Sequence, residues 1–305
     1  MSDFVQQQNS ICDFTTSVSW VILSPIEQSI KRKIEAVGTP LKDWDINIYR
    51  GVLTGYNEAF IISSEKRNEI LANCLTEKER KRTAELIRPI LRGRDIKRYG
   101  YDWANLHLIA TFPSRHYDID RYPAVKQYLL SFGVERLEQT GKTHVIDGEK
   151  VKARKKTNNK WFETQDSISY WEDFFKPKIM YPNMTKYIPF YFDEKGFYQN
   201  DKSFMITGTN MAYLTAFLNS SLFKFCFLDN FPELQGGTRE LRKIFFDKIP
   251  VLQVSKKTND TFIPKIKDIQ KEYTISKAVE IDSMLFDLYN LTTEERKTIG
   301  FVEIV

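Results

Sequence analysis

Short helical and strand-like patterns follow one another along this chain in no regular order. Ser24 and Glu27 are spaced as a capping box around Pro25, and isoleucines at 26, 30 and 34 then share one face. This pattern predicts a lead-in helix over about 25–37. Residues 44–49 alternate as a strand does, and residues 59–62 form a candidate returning strand. Because no βαβ rhythm connects the elements, we expect an α+β fold with an irregular mixed sheet and packed helices.

The later part of the chain predicts further helices separated by polar segments. Thr76 and Glu79 form a second capping box before a basic helix that ends near residue 87. The other predicted elements are helices over 122–139, 211–228 and 265–290, and an exposed loop or hairpin over 140–160. We therefore predict a main domain over residues 1–250, a polar connector over 251–264 and a C-terminal helical segment over 265–305.

Composition argues against several classes of protein. The 22 Phe, 15 Tyr and 5 Trp residues and the 42% hydrophobic content are enough for a core, so disorder is not expected. No run of about 18 apolar residues is present, so no membrane span is expected. The first ten residues lack the layout of a signal peptide. Three scattered cysteines, at 12, 74 and 226, match no disulfide framework, and we expect a cytoplasmic protein.

The net charge of +5 is concentrated in two stretches. Residues 78–98 hold nine basic and three acidic side chains, a local charge of +6, and residues 142–160 hold seven and two, a local charge of +5. The net charge of the other 265 residues is therefore −6. Lysine and arginine neutralise phosphates, and arginine and asparagine also bind base edges, so the clustering favours a nucleic-acid interface. The alternative is a solvated surface that binds nothing.

Both stretches supply candidate contacts. In the first stretch a glycine-opened turn carries cations, although Arg94 and Asp95 could instead pair with each other. In the second stretch, lysines and amides precede Trp161, which either stacks on a ligand or anchors the loop. The candidates are Arg92, Arg94, Lys97, Arg98, Lys152, Arg154, Lys155, Lys156, Asn158, Asn159 and Lys160.

No catalytic constellation is evident in the sequence. It contains no Walker phosphate loop, no Gly-x-Gly-x-x-Gly, no Gly-x-Ser-x-Gly and no cysteine–histidine spacing typical of zinc. Asp193, Glu194 and Lys195 resemble the end of a metal-dependent nuclease site, but charged residues before a glycine are more typical of a turn. A binding protein is therefore indicated. The alternatives are a metal-dependent nuclease that uses Asp193 and a protein–protein scaffold.

Two glycine-containing motifs carry a resemblance to a known family. The first, residues 50–62, is RGVLTGYNEAFII, for which spacing alone favours a structural turn, and the second, residues 89–99, is PILRGRDIKRY. In this order and spacing they resemble the TaqI-like specificity region of type IIG restriction-modification enzymes. Supporting segments bring the resemblance to about residues 20–300; they lie at residues 20–23, 34–41, 176–179, 213–220 and 281–292.

The resemblance implies that residues 1–250 are a target-recognition domain for double-stranded DNA. Such enzymes also carry a nuclease and an adenine-specific methyltransferase that flips its target base and uses S-adenosylmethionine. The Asn/Asp-Pro-Pro-Tyr/Phe methyltransferase motif does not occur here. Catalytic domains, with S-adenosylmethionine and Mg²⁺, are therefore expected elsewhere in the same chain or in a separate subunit, and no cofactor is expected here. The implied function is sequence-specific DNA recognition that positions DNA for adenine methylation, with or without cleavage.

Overall fold

The computed structural model describes residues 23–301, which divide into two compact units. The central unit comprises residues 47–185 and 189–211, and the terminal unit comprises residues 23–46, 186–188 and 212–301. Short strands and helices are interspersed in both, which confirms the α+β prediction. Residues 20–22 of the resembling segments, Cys12 and residues 302–305 lie outside the described residues.

Two four-stranded sheets form the framework of the central unit. The first is mixed, because its first pair of strands is parallel and the other two pairs are antiparallel. Its strands are, in order, Tyr198–Gln199, Ile87–Leu91, Leu106–Ile109 and Ile61–Ser63. The strands of the second are, in order, Tyr191–Asp193, Lys178–Pro182, Ser203–Gly208 and Ile46–Arg50. In the second sheet, Lys178–Pro182 lies between two strands, and all five of its residues are buried.

Short helices and two-stranded hairpins surround these sheets. The α-helices are Asn57–Phe60, Ser64–Ala72, Glu77–Leu86, Pro123–Leu130 and Val134–Leu137. The 3₁₀ turns are Gly93–Asp95, Pro113–Arg115, Ile119–Arg121 and Trp171–Phe175. The hairpins pair Ile96–Lys97 with Gly100–Tyr101 and Thr143–Ile146 with Glu149–Lys152, and Met184–Thr185 is a further short strand.

A stack of three aromatic rings lies in the core of the central unit. Phe174 and Tyr198 have ring centroids 4.2 Å apart, and Phe112 lies 5.9 Å from Tyr198. All three side chains are buried. Stacked pairs of this kind contribute about 0.5–1.5 kcal/mol beyond the burial of their area. Because the rings come from three distant segments, the stack holds together parts of the chain that no local pattern connects.

The terminal unit is mainly helical. Its first helix begins at the predicted capping box, where Ser24 accepts from the backbone of Glu27, and it buries Ile30 and Ile34 completely. The helices are Pro25–Val37, Met211–Leu218, Ser221–Phe227, Lys243–Phe246, Lys256–Lys271, Ile275–Leu288 and Thr293–Ile299. The strands are Gly38–Pro40, paired antiparallel with Pro250–Leu252, and Glu233–Leu234, paired antiparallel with Thr238–Glu240. Short 3₁₀ turns are Leu41–Asp43, Leu228–Asn230 and Gln235–Gly237.

The segment over 251–264, which was predicted as a polar connector, contains the beginning of a helix. A helix begins at Lys256, where Ser255 accepts from the backbone of Thr258, and it continues through Pro264 to Lys271. Phe262, Ile266 and Ile269 bury one face of this helix, and that packing outweighs the hydrogen bond that the proline removes. The chain then breaks and a new helix begins after Thr274. The division into a main domain over 1–250 and a segment over 265–305 stays a prediction.

Three other predicted elements also differ from the structure. The helix over 211–228 is divided because the Ser220 side chain caps a second helix, and the helix over 122–139 ends at Leu130, before Gly133 with φ of +80°. The strand over 59–62 begins only at Ile61, after one helical turn. It pairs with Leu106–Ile109 rather than returning along the preceding strand.

No single helix within residues 23–301 is long and apolar enough to cross a membrane. One bent pair, Met211–Leu218 with Ser221–Asn230 at 65°, meets the requirement for length and composition when its two helices are taken together.

Candidate nucleic-acid interface

The second basic stretch folds as a hairpin followed by an irregular segment. Thr143–Ile146 pairs antiparallel with Glu149–Lys152, and a two-residue turn joins the strands. Asp147 and Gly148 form this turn with φ of +50° and +82°, the left-handed backbone that an Asp-Gly turn favours. The hairpin confirms one of the two forms predicted for residues 140–160.

Exposed lysines cover this basic stretch. Lys152, Lys155, Lys156 and Lys160 are exposed, as are Lys142 and Lys150, which sequence analysis did not single out. In the part of the chain that the structure describes, none of these six ammonium groups lies within 4 Å of a carboxylate. Elsewhere on the surface such pairs are frequent; Lys66 with Glu69 is one example. The stretch therefore presents cationic charge that internal ion pairs do not neutralise.

Arg154, one of the predicted DNA contacts, is not part of this exposed surface. Its side chain is buried and its guanidinium donates to four backbone carbonyl oxygens at 2.7–2.8 Å. The guanidinium also lies 5.0 Å from the ring centroid of Phe60. Burial lowers the pKa of Arg154 to about 10, which leaves the group charged at neutral pH. Four of its five N–H donors are used inside the protein and the side chain is buried, so the group is not placed to reach a phosphate.

The two asparagines of the stretch have different environments. The side-chain amide of Asn159 donates to the carbonyl oxygens of Thr164 and Gln165, at 3.3 and 2.9 Å, so its donors already have partners. Asn158 is exposed and remains a candidate for a base contact. Trp161 anchors the segment, because its carbonyl oxygen accepts from Arg154 and its ring packs against the core.

The first basic stretch contains a second structural arginine. Arg92 forms a forked ion pair with Asp95, with Nε and Nη2 donating at 2.9 and 2.8 Å, and the backbone N–H of Arg92 also donates to Asp95. These hydrogen bonds raise the pKa of Arg92. A Cβ on Gly93 would lie 2.5 Å from the carbonyl oxygen of Lys202. The turn therefore uses Arg92 and Gly93 for its own geometry, and Asp95 pairs with Arg92 rather than with Arg94.

The remaining candidates of this turn differ in exposure. Arg94 and Lys97 are exposed, and Lys97 lies 3.6 Å from the carboxylate of Asp102. Arg98 is half-buried and stacks 5.5 Å from the ring centroid of Tyr99. Arg94 and Lys97 are therefore the members of this set that a phosphate reaches most easily. Both belong to the same unit as the basic hairpin, Arg94 in a 3₁₀ turn and Lys97 in a separate two-stranded sheet.

The first glycine motif is structural, as its spacing predicts. A Cβ on Gly51 would lie 2.1 Å from the carbonyl oxygen of Asn200. Gly55 has φ of +79°, and its Cβ would lie 2.7 Å from Oε1 of Gln165. Thr54 is fully buried and its hydroxyl donates to Asn57 at 2.7 Å. Gly51 therefore packs closely against Asn200, and Gly55 packs against the segment that follows the basic hairpin.

Asp193 is fully buried in an ion pair with Lys178, which is also inaccessible. Its oxygens accept from the backbone N–H groups of Lys195 and Phe197, both at 3.0 Å, which closes the predicted turn. The ammonium of Lys178 also donates to the carbonyl oxygen of Phe174 at 2.6 Å, and burial lowers the pKa of Lys178. Within residues 23–301, no group of three His, Cys, Asp or Glu side chains is placed to hold a metal. The geometry thus gives Asp193 a structural role.

Three arginines that sequence analysis did not single out line a groove of the central unit. They are Arg82, Arg88 and Arg115. Arg82 and Arg88 belong to the first basic stretch, residues 78–98. Their approach to Arg115 depends on how a helix, a strand and a turn pack together. The one local feature of the sequence that could have indicated this groove is the presence of aromatic residues, such as Tyr117, near Arg115.

Comparisons with known proteins agree with the resemblance seen in the sequence. A model of the family "TaqI-like C-terminal specificity domain" matches residues 88–251, which are 164 of the 305 positions. No curated protein sequence matches the chain. The fold is similar to that of the type IIG restriction endonuclease BpuSI, with a TM-score of 0.50 and 13% identity over 87% of this chain and 33% of BpuSI. At that identity the likeness shows the fold alone.

A second solved structure is the type IIL restriction-modification enzyme MmeI in complex with DNA. Its TM-score is 0.49, with 11% identity over 86% of this chain and 36% of MmeI. The chain therefore spans about a third of the length of either protein.

Proposed function

Since the chain belongs to the family of TaqI-like C-terminal specificity domains, we propose that it recognises a target sequence in double-stranded DNA. The enzyme that it serves is a restriction-modification enzyme. Its catalytic domains lie in another part of the same chain or in a separate subunit. They use S-adenosylmethionine for adenine methylation, and Mg²⁺ for cleavage where cleavage accompanies methylation. The protein acts in the cytoplasm, where its DNA substrate is present.

The observation that carries the proposal is the row of exposed, unneutralised lysines between residues 142 and 160. Cations that lack internal partners neutralise phosphates and release the counterions that surround DNA. The hairpin and the buried Arg154 hold the backbone of this stretch, so the lysines are presented from an ordered surface. Arg94 and Lys97 add two exposed cations from the same unit.

Sequence reading needs groups that reach base edges, and Asn158 is the exposed amide in the basic stretch. Asparagine binds adenine with two hydrogen bonds in the major groove. A methyltransferase that flips its target adenine needs another surface to hold the flanking duplex. A specificity domain with phosphate contacts and a few base contacts supplies that surface.

The test is duplex binding by the pure chain at several salt concentrations. If five or six lysines contact phosphates, affinity should fall by roughly 10³-fold between 50 and 200 mM salt. Selection from a randomised duplex library then identifies the target bases. The proposal fails if no duplex binds at low salt, whether the chain is alone or combined with a methyltransferase part. Salt-insensitive binding to a protein would instead favour the scaffold alternative.

A further inference from the structure

A groove in the central unit combines cationic and aromatic walls. It has a volume of about 320 Å³, and the guanidinium groups of Arg82, Arg88 and Arg115 line it. Each guanidinium lies over an aromatic ring, which holds its plane in place. The distances to the ring centroids are 5.9 Å for Arg82 over Tyr122, 4.9 Å for Arg88 over Phe175, and 3.7 Å for Arg115 over Trp171.

The charge of the groove is not neutralised from within. Across residues 23–301, no carboxylate lies within 4 Å of these three guanidinium groups. Glu85 is the one acidic residue in the lining, so three positive charges and one negative charge leave +2. This arrangement contrasts with Arg92, whose guanidinium is forked on Asp95.

Two arginines of the groove each carry a buried donor that lacks an acceptor. The Nε atoms of Arg82 and Arg88 are buried and have no hydrogen-bond partner, although Nη2 of Arg82 donates to the carbonyl oxygen of Arg121 at 2.9 Å. A buried donor without an acceptor destabilises the fold, and both of these donors belong to side chains that line the groove. Tyr198 also lines the groove, and because burial raises its pKa to about 12 its hydroxyl remains a donor.

We propose that this groove binds a phosphate group. The planar fork of arginine matches phosphate oxygens with two parallel hydrogen bonds, and here a helix, a strand and a turn each bring one such fork to the groove. The phosphate is either a phosphodiester of the DNA backbone or the terminal phosphate of a nucleotide. Binding of a DNA phosphodiester rests on the proposed function. It would give the protein a contact with the DNA backbone in addition to those of the lysine stretch.

The first experiment measures duplex affinity for Arg88→Gln/Arg115→Gln. Its matched control is Arg80→Gln/Lys81→Gln, which removes the same charge from two exposed residues on the helix that carries Arg82. For the DNA source, the groove variant should bind about tenfold more weakly than the control, equally for all sequences. The slope of log affinity against log salt should also decrease by about one more than in the control.

The second experiment uses Trp171, which lies under Arg115, as a fluorescent reporter. Tryptophan emission is followed while duplex DNA, inorganic phosphate or ADP is added, with Trp171→Phe as the control. A saturable change that is absent from Trp171→Phe and from the groove variant supports the site. If duplex DNA changes the emission, the ligand is a backbone phosphate. If ADP changes it and duplex DNA does not, the ligand is a nucleotide.

The outcomes separate the site from the proposed function. If the wild-type chain binds duplex but the groove variant equals its control and Trp171 responds to no ligand, the phosphate site is overturned and DNA recognition stands. If duplex never binds but ADP changes Trp171 emission, DNA recognition fails and the phosphate site stands. If nothing binds in either experiment, both are overturned.

Discussion

Arg154 Nη1 donates to the carbonyl oxygen of Thr54 at 2.8 Å, although the two residues are 100 positions apart. The same nitrogen donates to Glu163, while Nε donates to Leu137 and Nη2 donates to Trp161. One buried cation thus joins the first glycine motif to both ends of the segment that carries the exposed lysines. The geometry of the proposed DNA surface therefore depends on a residue that does not contact DNA.

We expect Arg154→Met to destabilise the protein strongly. The substitution removes a donor from four carbonyl oxygens, of which that of Glu163 still accepts from Gln139 at 3.1 Å. Each buried acceptor that is left unsatisfied costs about 1–3 kcal/mol. Because such terms are not additive, we expect a loss of at least about 3 kcal/mol in the free energy of unfolding. Urea denaturation followed by circular dichroism measures this loss.

The matched control for that substitution is Lys155→Met. It removes the same charge from the next residue, which is exposed, and it should change the free energy of unfolding by less than about 0.5 kcal/mol. Equal effects of the two substitutions would show that the four hydrogen bonds of Arg154 are not important for stability.

Local signals in the sequence predicted several of the helix starts, and a loop or hairpin over residues 140–160. Ser24, Thr76 and Thr292 each accept from the backbone three residues later, because a cap needs only neighbouring residues. The α+β fold also followed from the order of short elements. These features depend on interactions over a few positions, which a single sequence displays.

Features that depend on distant contacts could not be predicted in the same way. Nothing near Arg154 distinguishes it from Lys155, since its burial depends on carbonyl groups as far away as residue 54. The helix through Pro264 is similar, because the packing of Phe262 and Ile266 outweighs the local cost of the proline. Among the candidate cations, charge in the sequence therefore did not show which members are exposed.

The buried ion pair of Lys178 and Asp193 predicts an asymmetric response to mutation. Asp193→Asn should destabilise the protein by about 3–5 kcal/mol, because it leaves the ammonium of Lys178 buried without a counter-charge. Thermal or urea unfolding measures this effect. The fluorescence spectrum of the folded protein should not change when EDTA or Mg²⁺ is added, because the carboxylate is occupied.

The double substitution Lys178→Met/Asp193→Leu is the control for the pair. Replacing both charges by apolar groups of similar size removes the unpaired charge, so it should recover much of the lost stability. A double variant that is less stable than Asp193→Asn would contradict this account of the site.

His107 predicts that the protein loses stability in mild acid. Burial, with a smaller effect from Arg67, lowers the pKa of His107 to about 4, from 6.5 for a free histidine. His107 therefore binds a proton more readily in the unfolded chain than in the folded protein. The stability that the neutral side chain contributes is complete above pH 6.5 and is lost as the pH falls from 6.5 through about 4. At pH 5 the loss is roughly 2 kcal/mol.

The measurement compares urea unfolding at pH 7 and pH 5 for the wild-type chain and His107→Leu. Carboxylates also titrate in acid, but they do so in both proteins. The difference between the losses of unfolding free energy in the two proteins therefore reports the effect of His107 alone. The variant should lose roughly 2 kcal/mol less than the wild-type chain on acidification. Identical losses would mean that His107 takes up its proton equally in the folded and unfolded states.

Lys155→Gln/Lys156→Gln tests whether the exposed lysines contact the DNA backbone. If each lysine neutralises one phosphate, the double variant should decrease the slope of log affinity against log salt by about 1.8. Its affinity should fall to a similar degree for target and random duplexes, because phosphate contacts do not read sequence. The control is Lys256→Gln/Lys257→Gln, an exposed tandem pair in the terminal unit with the same change in charge. If both variants lower the slope equally, the effect comes from net charge, and the basic hairpin is not the interface. A selective effect of the first variant, with unfolding unchanged in both, places residues 155–156 on the DNA.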